Sequence, residues 1–198
     1  YVKDKYYVVP RYSISANNWS EKSKYDFPVQ GFISIEQLIK QKELQIKKGN
    51  EVGSEAYGTG DIPFIRTSDL INLEINFDPT KSVSKDIFSR YAKLQSIRQF
   101  DILMVADGRY RIGKTSMILE GMTECVVQSH VKIIRVLKNK TFTPFELLYI
   151  LNQKEVVEQI RSLIFIQSTL GSIGNRLNEL LLPIPIKNEQ WESQISDF

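Results

Sequence analysis

One cysteine and one histidine are all that this 198-residue chain offers of the side chains that most often build disulfides and zinc sites. Cys125 has no second thiol to pair with, which excludes an internal disulfide, and His130 has no second imidazole to complete a His/Cys metal cluster. A zinc site would have to rest mainly on carboxylates, an uncommon arrangement, so no metal is expected. No apolar run approaches the roughly 20 residues that cross a bilayer. The opening residues, Tyr1-Val-Lys-Asp-Lys-Tyr-Tyr7, have neither an initiator methionine nor signal-peptide architecture. A cytoplasmic setting without a membrane partner fits these absences. Glu189 to Phe198 reads as a helix cut short, so both ends are expected to be cuts in a longer polypeptide. There is no internal repeat and no low-complexity tract.

What is present belongs to an ordinary globular chain. The hydrophobic fraction of 42% and charged fraction of 25% suit one domain with a sizeable core, or a domain plus appendages. The net charge of +3 is unevenly placed. Residues 81–114 hold eight basic residues (Lys81, Lys85, Arg90, Lys93, Arg98, Arg109, Arg111 and Lys114) against three acids, whereas from residue 141 onward seven acids face four bases. Such asymmetry points to a basic face for a polyanion, or to a plain solvated surface.

The chain is organised around Asp101 to Lys114. The apolar run Ile102 to Ala106 breaks at Asp107-Gly108, a turn-favouring pair, into the tip Arg109-Tyr110-Arg111. Ile112-Gly113-Lys114 then leads into a second apolar run, so the local reading is strand, loop, strand. Gly108-Arg-Tyr-Arg-Ile-Gly113-Lys114-Thr115 also fits the phosphate-loop pattern G-x-x-x-x-G-K-[ST]. That pattern binds phosphate only where a helix leaves the loop. Here the exit, Ser116-Met-Ile-Leu-Glu-Gly121, reads as β, and the match is a coincidence.

Residues 1–28, rich in Tyr, Ser, Asn and Lys, read as a lead-in or linker whose aromatics, Tyr6, Tyr7 and Tyr12 among them, pack on the body. Ile35, Leu38 and Ile39 predict a short helix with Ser34 as its cap. Ile62 to Arg66 predicts a strand with Pro63 near its start, ending in the polar turn Arg66-Thr67-Ser68-Asp69. Ser84 to Leu94 predicts a helix with Ile87, Phe88 and Tyr91 on one face. The run Cys125 to Leu137 completes the β part, with Gln128 and His130 on one face of a strand. Thr143-Pro144-Phe145-Glu146 is a helix start with cap, first-turn proline and capping-box glutamate. One helix to about Asn152 and a second over Glu155 to Ile166 form a helical pair. Ser168 to Asn175 reads as a flexible loop, Leu180 to Ile186 as a final extended strand, and Asn188 as the cap of the truncated helix. The expected class is α+β: a mixed β core with loops carrying contacts, a C-terminal helical pair and a last strand.

Four segments then recur in one order. Gly60-Asp-Ile-Pro-Phe-Ile-Arg-Thr-Ser-Asp-Leu70 resembles the G-x-x-P-F-I-R-x-x-D-L/I segment of target recognition domains in type I restriction–modification specificity subunits. Asp101-Ile-Leu followed by Gly108 to Lys114 resembles that family's G-D-I-L and G-x-I-G-K segment. Gln128 stands where the family often has glutamine before a strand, and Leu182-Pro-Ile-Pro-Ile-Lys-Asn-Glu-Gln190 resembles its I-P-L-P-x-x-x-E-Q ending. The resemblance spans roughly residues 29–190. It departs at Phe100, where the family usually has glycine, and it covers one recognition unit without the long spacer helix. Tyr6-Tyr-Val-Val-Pro-Arg-Tyr12 is similar to the junction where such a domain is fused behind an adenine methylase.

The resemblance implies a lead-in at 1–28, a target recognition domain at 29–187 and the start of a helix at 188–198. It implies a non-catalytic module that reads double-stranded DNA for a methyltransferase subunit or fused methyltransferase domain, and in some systems for a restriction subunit. The N/D-P-P-Y/F motif that binds a flipped adenine, a glycine-rich cofactor loop and a P-D…E-x-K nuclease set are all absent, so no catalytic residue and no cofactor is expected.

Arg109, Tyr110 and Arg111 are the leading DNA-contact candidates, since arginine grips guanine O6 and N7 in bidentate fashion and tyrosine contacts sugar or stacks. Lys114 suits phosphate, as a point charge without the fork. Arg66, Thr67 and Ser68 are either contacts or a structural turn with Arg66 paired to Asp69. Gln128 and His130, and Arg176 behind the 168–175 loop, are further candidates. The alternative from another class is a protein-interaction or scaffolding domain whose basic surface meets an acidic partner.

Overall fold

The computed structural model describes residues 25–71, 73–108, 111–167 and 170–198. Strand β1 (Val29–Ser34) runs directly into α1 (Ile35–Lys40), because Ser34 and Gln37 close a capping box. Strands β2 (Leu44–Lys48), β3 (Phe64–Ile65), β4 (Leu70–Ile71) and β5 (Glu74–Ile75) follow, and Ser84 caps α2 (Lys85–Gln95). Next come β6 (Ile102–Val105), β7 (Asp107–Gly108), β8 (Thr115–Met117), β9 (Val126–Val127) and β10 (Val131–Val136). Thr143 caps α3 (Pro144–Leu151), with Pro144 and Glu146 in the roles the sequence predicts. The order closes with α4 (Lys154–Leu163), β11 (Phe165–Gln167), β12 (Leu170–Ser172), β13 (Leu181–Pro185) and α5 (Glu189–Asp197), capped by Asn188. The class is α+β, as expected.

The centre is an antiparallel sheet in the order β2-β10-β6-β8. Alternation along its inner strands splits the core in two. Ile102, Met104 and Ile134 face a layer built from α1, α3, α4 and β13, with Leu38, Leu147, Ile160 and Leu182 buried there. Leu103, Val105, Val131 and Ile133 face the other way, onto Ile65, Leu70, Ile118 and Val127. Each such Ile, Leu or Val contributes about 1.5–3 kcal/mol when fully buried, so a one-residue slip that reversed the faces is excluded. Strand β3 pairs in parallel with β9, and β1 pairs antiparallel with β13. Phe64, Val83 and Val126 make a third, smaller cluster, on which Ile87, Phe88 and Tyr91 of α2 pack.

Several expectations change. Asp107-Gly108 is not a tight turn but a strand, β7, whose partner is β12. Gly108 does take a positive φ, 135°. The hairpin β11–β12 occupies part of what the sequence suggested was a flexible loop, and α4 stops at Leu163 rather than Ile166. Phe165 and Ile166 favour strand, and the pairing of β11 with β12, and of β12 with β7, satisfies backbone groups that a loop would leave to water. Gln128 and His130 do not share a strand: Ser129-His130 is a turn, closed by the Val131 N–H donating to the Gln128 carbonyl at 3.0 Å. The strand expected over Ile62–Arg66 shortens to Phe64–Ile65, while the carbonyl of Pro63 still accepts from the Val126 N–H at 2.9 Å.

Phe100 adopts a left-handed φ of 68°. That conformation favours glycine, the residue found at the corresponding place in the family's segment. Its ring meets Phe145 at 5.5 Å between centroids, which offsets part of the backbone cost.

Tyr6, Tyr7 and Tyr12 lie outside the described residues. Phe27, in the stretch read as lead-in, is buried against Trp191 of α5, with centroids 4.6 Å apart. Glu146 ties the same corner together: its carboxylate accepts from Trp191 Nε1 at 2.8 Å, the Thr143 N–H at 2.7 Å and Lys187 Nζ at 3.1 Å. Burial alone pushes this carboxyl up, but those three partners outweigh it and hold the value below the ordinary one. A group depressed in the folded state stabilises above its unfolded pKa and loses that contribution as pH falls through the folded value. Docking of α5 is therefore expected to weaken below about pH 4. In a Trp19→Phe chain, Trp191 emission should shift to the red in acid, and Glu146→Gln should remove that pH dependence. Emission unchanged between neutral pH and pH 3 contradicts the assignment.

Candidate nucleic-acid interface

The topology gathers most of the candidate residues at one end of the central sheet. Because β3 and β9 are parallel, Arg66 and Gln128 leave them side by side. Because β6 and β10 are antiparallel, the end of β6 at Val105 lies opposite the start of β10 at Val131. Hydrogen bonds then link the loops. Gln128 Oε1 accepts from the Thr67 N–H at 3.3 Å, and Arg111 Nη1 donates to the carbonyls of Ser68 at 3.0 Å and Leu70 at 3.3 Å. His130 Nδ1 meets Asp107 Oδ2 at 3.3 Å, and the Ser172 hydroxyl donates to Asp107 Oδ1.

These contacts decide what each side chain has left to offer. Arg66 is committed: Nε and Nη2 reach Asp69 at 3.2 and 3.1 Å, and Nη2 also reaches Asp78 at 3.4 Å. It braces the 66–69 turn, with Asp69 buried beneath. Hydrogen bonds from the Thr80 hydroxyl and N–H keep the Asp78 carboxyl below its usual value and so negative toward Arg66. Ser68 is exposed, and its hydroxyl donates to Asp69 at 2.8 Å. Arg111 is exposed and uses one nitrogen for the turn, so its Nε–Nη2 edge stays unspent among the described residues. That edge is the fork that fits guanine or phosphate. Arg109 and Tyr110 lie outside the described residues.

Lys114 is exposed at the entry to β8, so a strand follows the G-x-x-x-x-G-K-T match and the helix N-terminus of a phosphate loop is missing. Gly113 has its own structural reason: its φ is 88°, and a Cβ would stand 2.9 Å from Cγ2 of Ile160 on α4. Gln128 is half-buried and holds the turn by its oxygen, which leaves its amide nitrogen for contact. His130 is exposed and joined to Asp107. Arg176 stands apart from this cluster, with Nη1 against the Leu163 carbonyl at 3.5 Å, at the end of α4. Lys85, Arg90 and Lys93 are exposed along α2.

Asp107 and Ser172 join β7 to β12; Asp107 is not among the sequence candidates, and Ser172 enters only as part of the 168–175 loop, read as a second DNA-facing loop or a plain connector. They lie 65 positions apart, and nothing local marks them. Among the described residues no group of three or more His, Cys, Asp or Glu is placed to hold a metal. Burial, and secondarily the charge of Asp101, pushes the Cys125 thiol up to about 12, so no thiolate is offered at neutral pH. Among the described residues no helix is long and apolar enough to cross a membrane.

Solved structures share this fold. The S subunit of a type I restriction–modification system from M. genitalium aligns with a TM-score of 0.57 at 13% identity, over 89% of this chain and 39% of that one. The HsdS subunit of Thermoanaerobacter tengcongensis aligns with a TM-score of 0.53 at 18% identity, over 89% and 40%. A chain from structural work on assembly and conformational transition of the type I R-M system aligns with a TM-score of 0.50 at 18% identity, over 86% and 42%. This chain therefore spans about two-fifths of the length of each. No curated protein matches the sequence. The type I restriction modification DNA specificity domain family matches residues 34–198, a span that holds all four recurring segments, and this chain belongs to it.

Proposed function

We propose that the chain is a non-catalytic, sequence-specific double-stranded DNA-binding module of a cytoplasmic restriction–modification system. It supplies target recognition to an adenine methyltransferase, carried as a separate subunit or a fused domain, and in assemblies that include one, to a restriction subunit. Residues 29–187 form the recognition domain, 1–28 lead into it and 188–198 form the helical segment that follows it. The observation that supports this reading most is the convergence at one sheet end of the unspent Arg111 fork, the Thr67–Ser68 turn, Gln128 and Lys114. Arginine and glutamine are the side chains that read base edges in the major groove, and exposed lysine suits phosphate. His130, Arg109 and Tyr110 complete the proposed contact set, with Arg176 at its margin.

A single small module usually buries about 600–1,000 Å² on DNA, so the isolated chain should bind duplex weakly. Its affinity should fall steeply with salt as phosphate contacts release counterions. Fluorescence anisotropy with labelled duplex from low to physiological salt tests this. Binding that ignores salt, or a preference for an acidic protein over DNA, would favour the scaffolding alternative.

A further inference from the structure

The register of β2 against β10 sets Lys48 directly opposite Lys132. Opposed residues of an antiparallel pair point to one face, and like charges placed so destabilise the sheet. Neither ammonium has an ion-pair partner among the described residues. Burial, then the charge of Lys48, makes Lys132 give up its proton more readily than a free lysine, with Asp107 opposing from a distance. Lys132 borders a pocket of about 230 Å³ whose other walls include Asn175 and Asn178 over an apolar floor of Ile39, Ile46 and Leu177. No hydrogen bond engages either asparagine side chain among the described residues.

This pocket lies at the same end of the sheet as Asp107 and Arg111, because β10 starts there and β2 ends there. It occupies the opposite face from the Thr67–Leu70 turn: Lys132 shares its side with Ile134, whereas Leu70 packs with Val131 and Ile133. The Lys132 ammonium beside two amide donors, with Lys48 opposite it in the sheet, matches a singly charged tetrahedral oxyanion. An anion between the lysines would convert their repulsion into attraction.

From this arrangement we infer that Lys48, Lys132, Asn175 and Asn178 form a phosphodiester-binding site that holds the duplex backbone on the far face of the sheet. The inference rests on the DNA-recognition reading. Phosphate contacts position a protein without carrying sequence information, and lysine serves them as a point charge. The site would fix the register in which Arg111 and its neighbours meet the bases.

The test compares the full chain with its Lys48→Gln/Lys132→Gln double variant in duplex binding across a salt series. Neutralising one phosphate contributes about 0.9 to the slope of log K against log salt, so the double variant should lose about one unit of slope. Its preferred sequence should not change. Its thermal midpoint should be no lower than that of the parent chain, since a repulsive pair has been removed, which separates lost binding from lost folding. Asn178→Ala should weaken binding a few-fold with the slope intact. A parent chain that binds duplex while the double variant keeps the full slope overturns this site alone. A parent chain that binds no duplex overturns the recognition reading and this site with it. Titration with inorganic phosphate distinguishes the two sources of the anion. Phosphate that competes no better than chloride at equal ionic strength supports a backbone site. Saturable phosphate binding that the double variant loses, with duplex binding unaffected, overturns it in favour of a small-anion pocket.

Discussion

Arg135→Ala is expected to destabilise the chain by about 3–5 kcal/mol, the usual consequence of stranding one member of a buried ion pair. Arg135 grips Asp101 with its Nε–Nη2 edge, Nε to Oδ1 at 2.7 Å and Nη2 to Oδ2 at 2.6 Å, and Nη2 also reaches the Ser96 carbonyl at 2.6 Å. The side chains are 9% and 1% exposed, so water cannot replace the lost partner. Asp101 Oδ2 accepts in addition from the Arg98 N–H at 2.8 Å. The pair therefore joins β10 to the turn that leads from α2 into β6. Asp101→Ala should cost about as much, and the double variant Asp101→Leu/Arg135→Met clearly less than the sum, because no charge is left behind. Urea unfolding of the four chains makes the comparison. A loss below about 1 kcal/mol for either single variant would mean that water reaches the site.

On the proposed function, Arg111→Ala is expected to relax or change the target of the methyltransferase that the chain would serve, and Arg109→Ala likewise, while lysine changes on α2 leave the target alone. Arg111 is held by the carbonyls of Ser68 and Leu70, which steadies the guanidinium edge that remains. Losing a bidentate arginine–guanine pair costs about 1–3 kcal/mol of discrimination, a factor of roughly 5 to 150. Lys85 and Lys93 are exposed on a helix, and Lys85→Ala or Lys93→Ala should lower affinity and the salt slope for every sequence alike. Sequencing the methylated sites in cells that carry each variant separates the two outcomes. If both arginine variants methylate the original site with undiminished selectivity, the tip does not read bases. The Thr67–Ser68 turn would then be the better candidate.

The parts legible in the sequence were those set by neighbours. Ser34, Thr143 and Asn188 mark helix starts because a cap acts within three residues, and all three cap as expected. The runs at Ile102 and Val131 read as buried strands because each packs on both faces. What stayed hidden depends on distant partners. Asp107-Gly108 looks like a turn until β12 arrives beside it, with Ser172 opposite Asp107 from 65 positions away, and Arg111 looks free until the Ser68 carbonyl, 43 positions back, takes one of its nitrogens. The recurring segments also divide by role. Asp101 and Gly113 serve the ion pair and the packing against Ile160, whereas Thr67, Ser68 and Gln128 face the sheet end where the candidate contacts gather.

The most direct measurement is selection from a pool of randomised duplexes by this chain at low salt, followed by sequencing of the bound fraction. A module that reads DNA through Arg111, Gln128 and the Thr67–Ser68 turn should enrich one short motif, and the Arg111→Ala chain should lose selection at one or two of its positions. A bound fraction with no sequence bias would contradict target recognition by this domain.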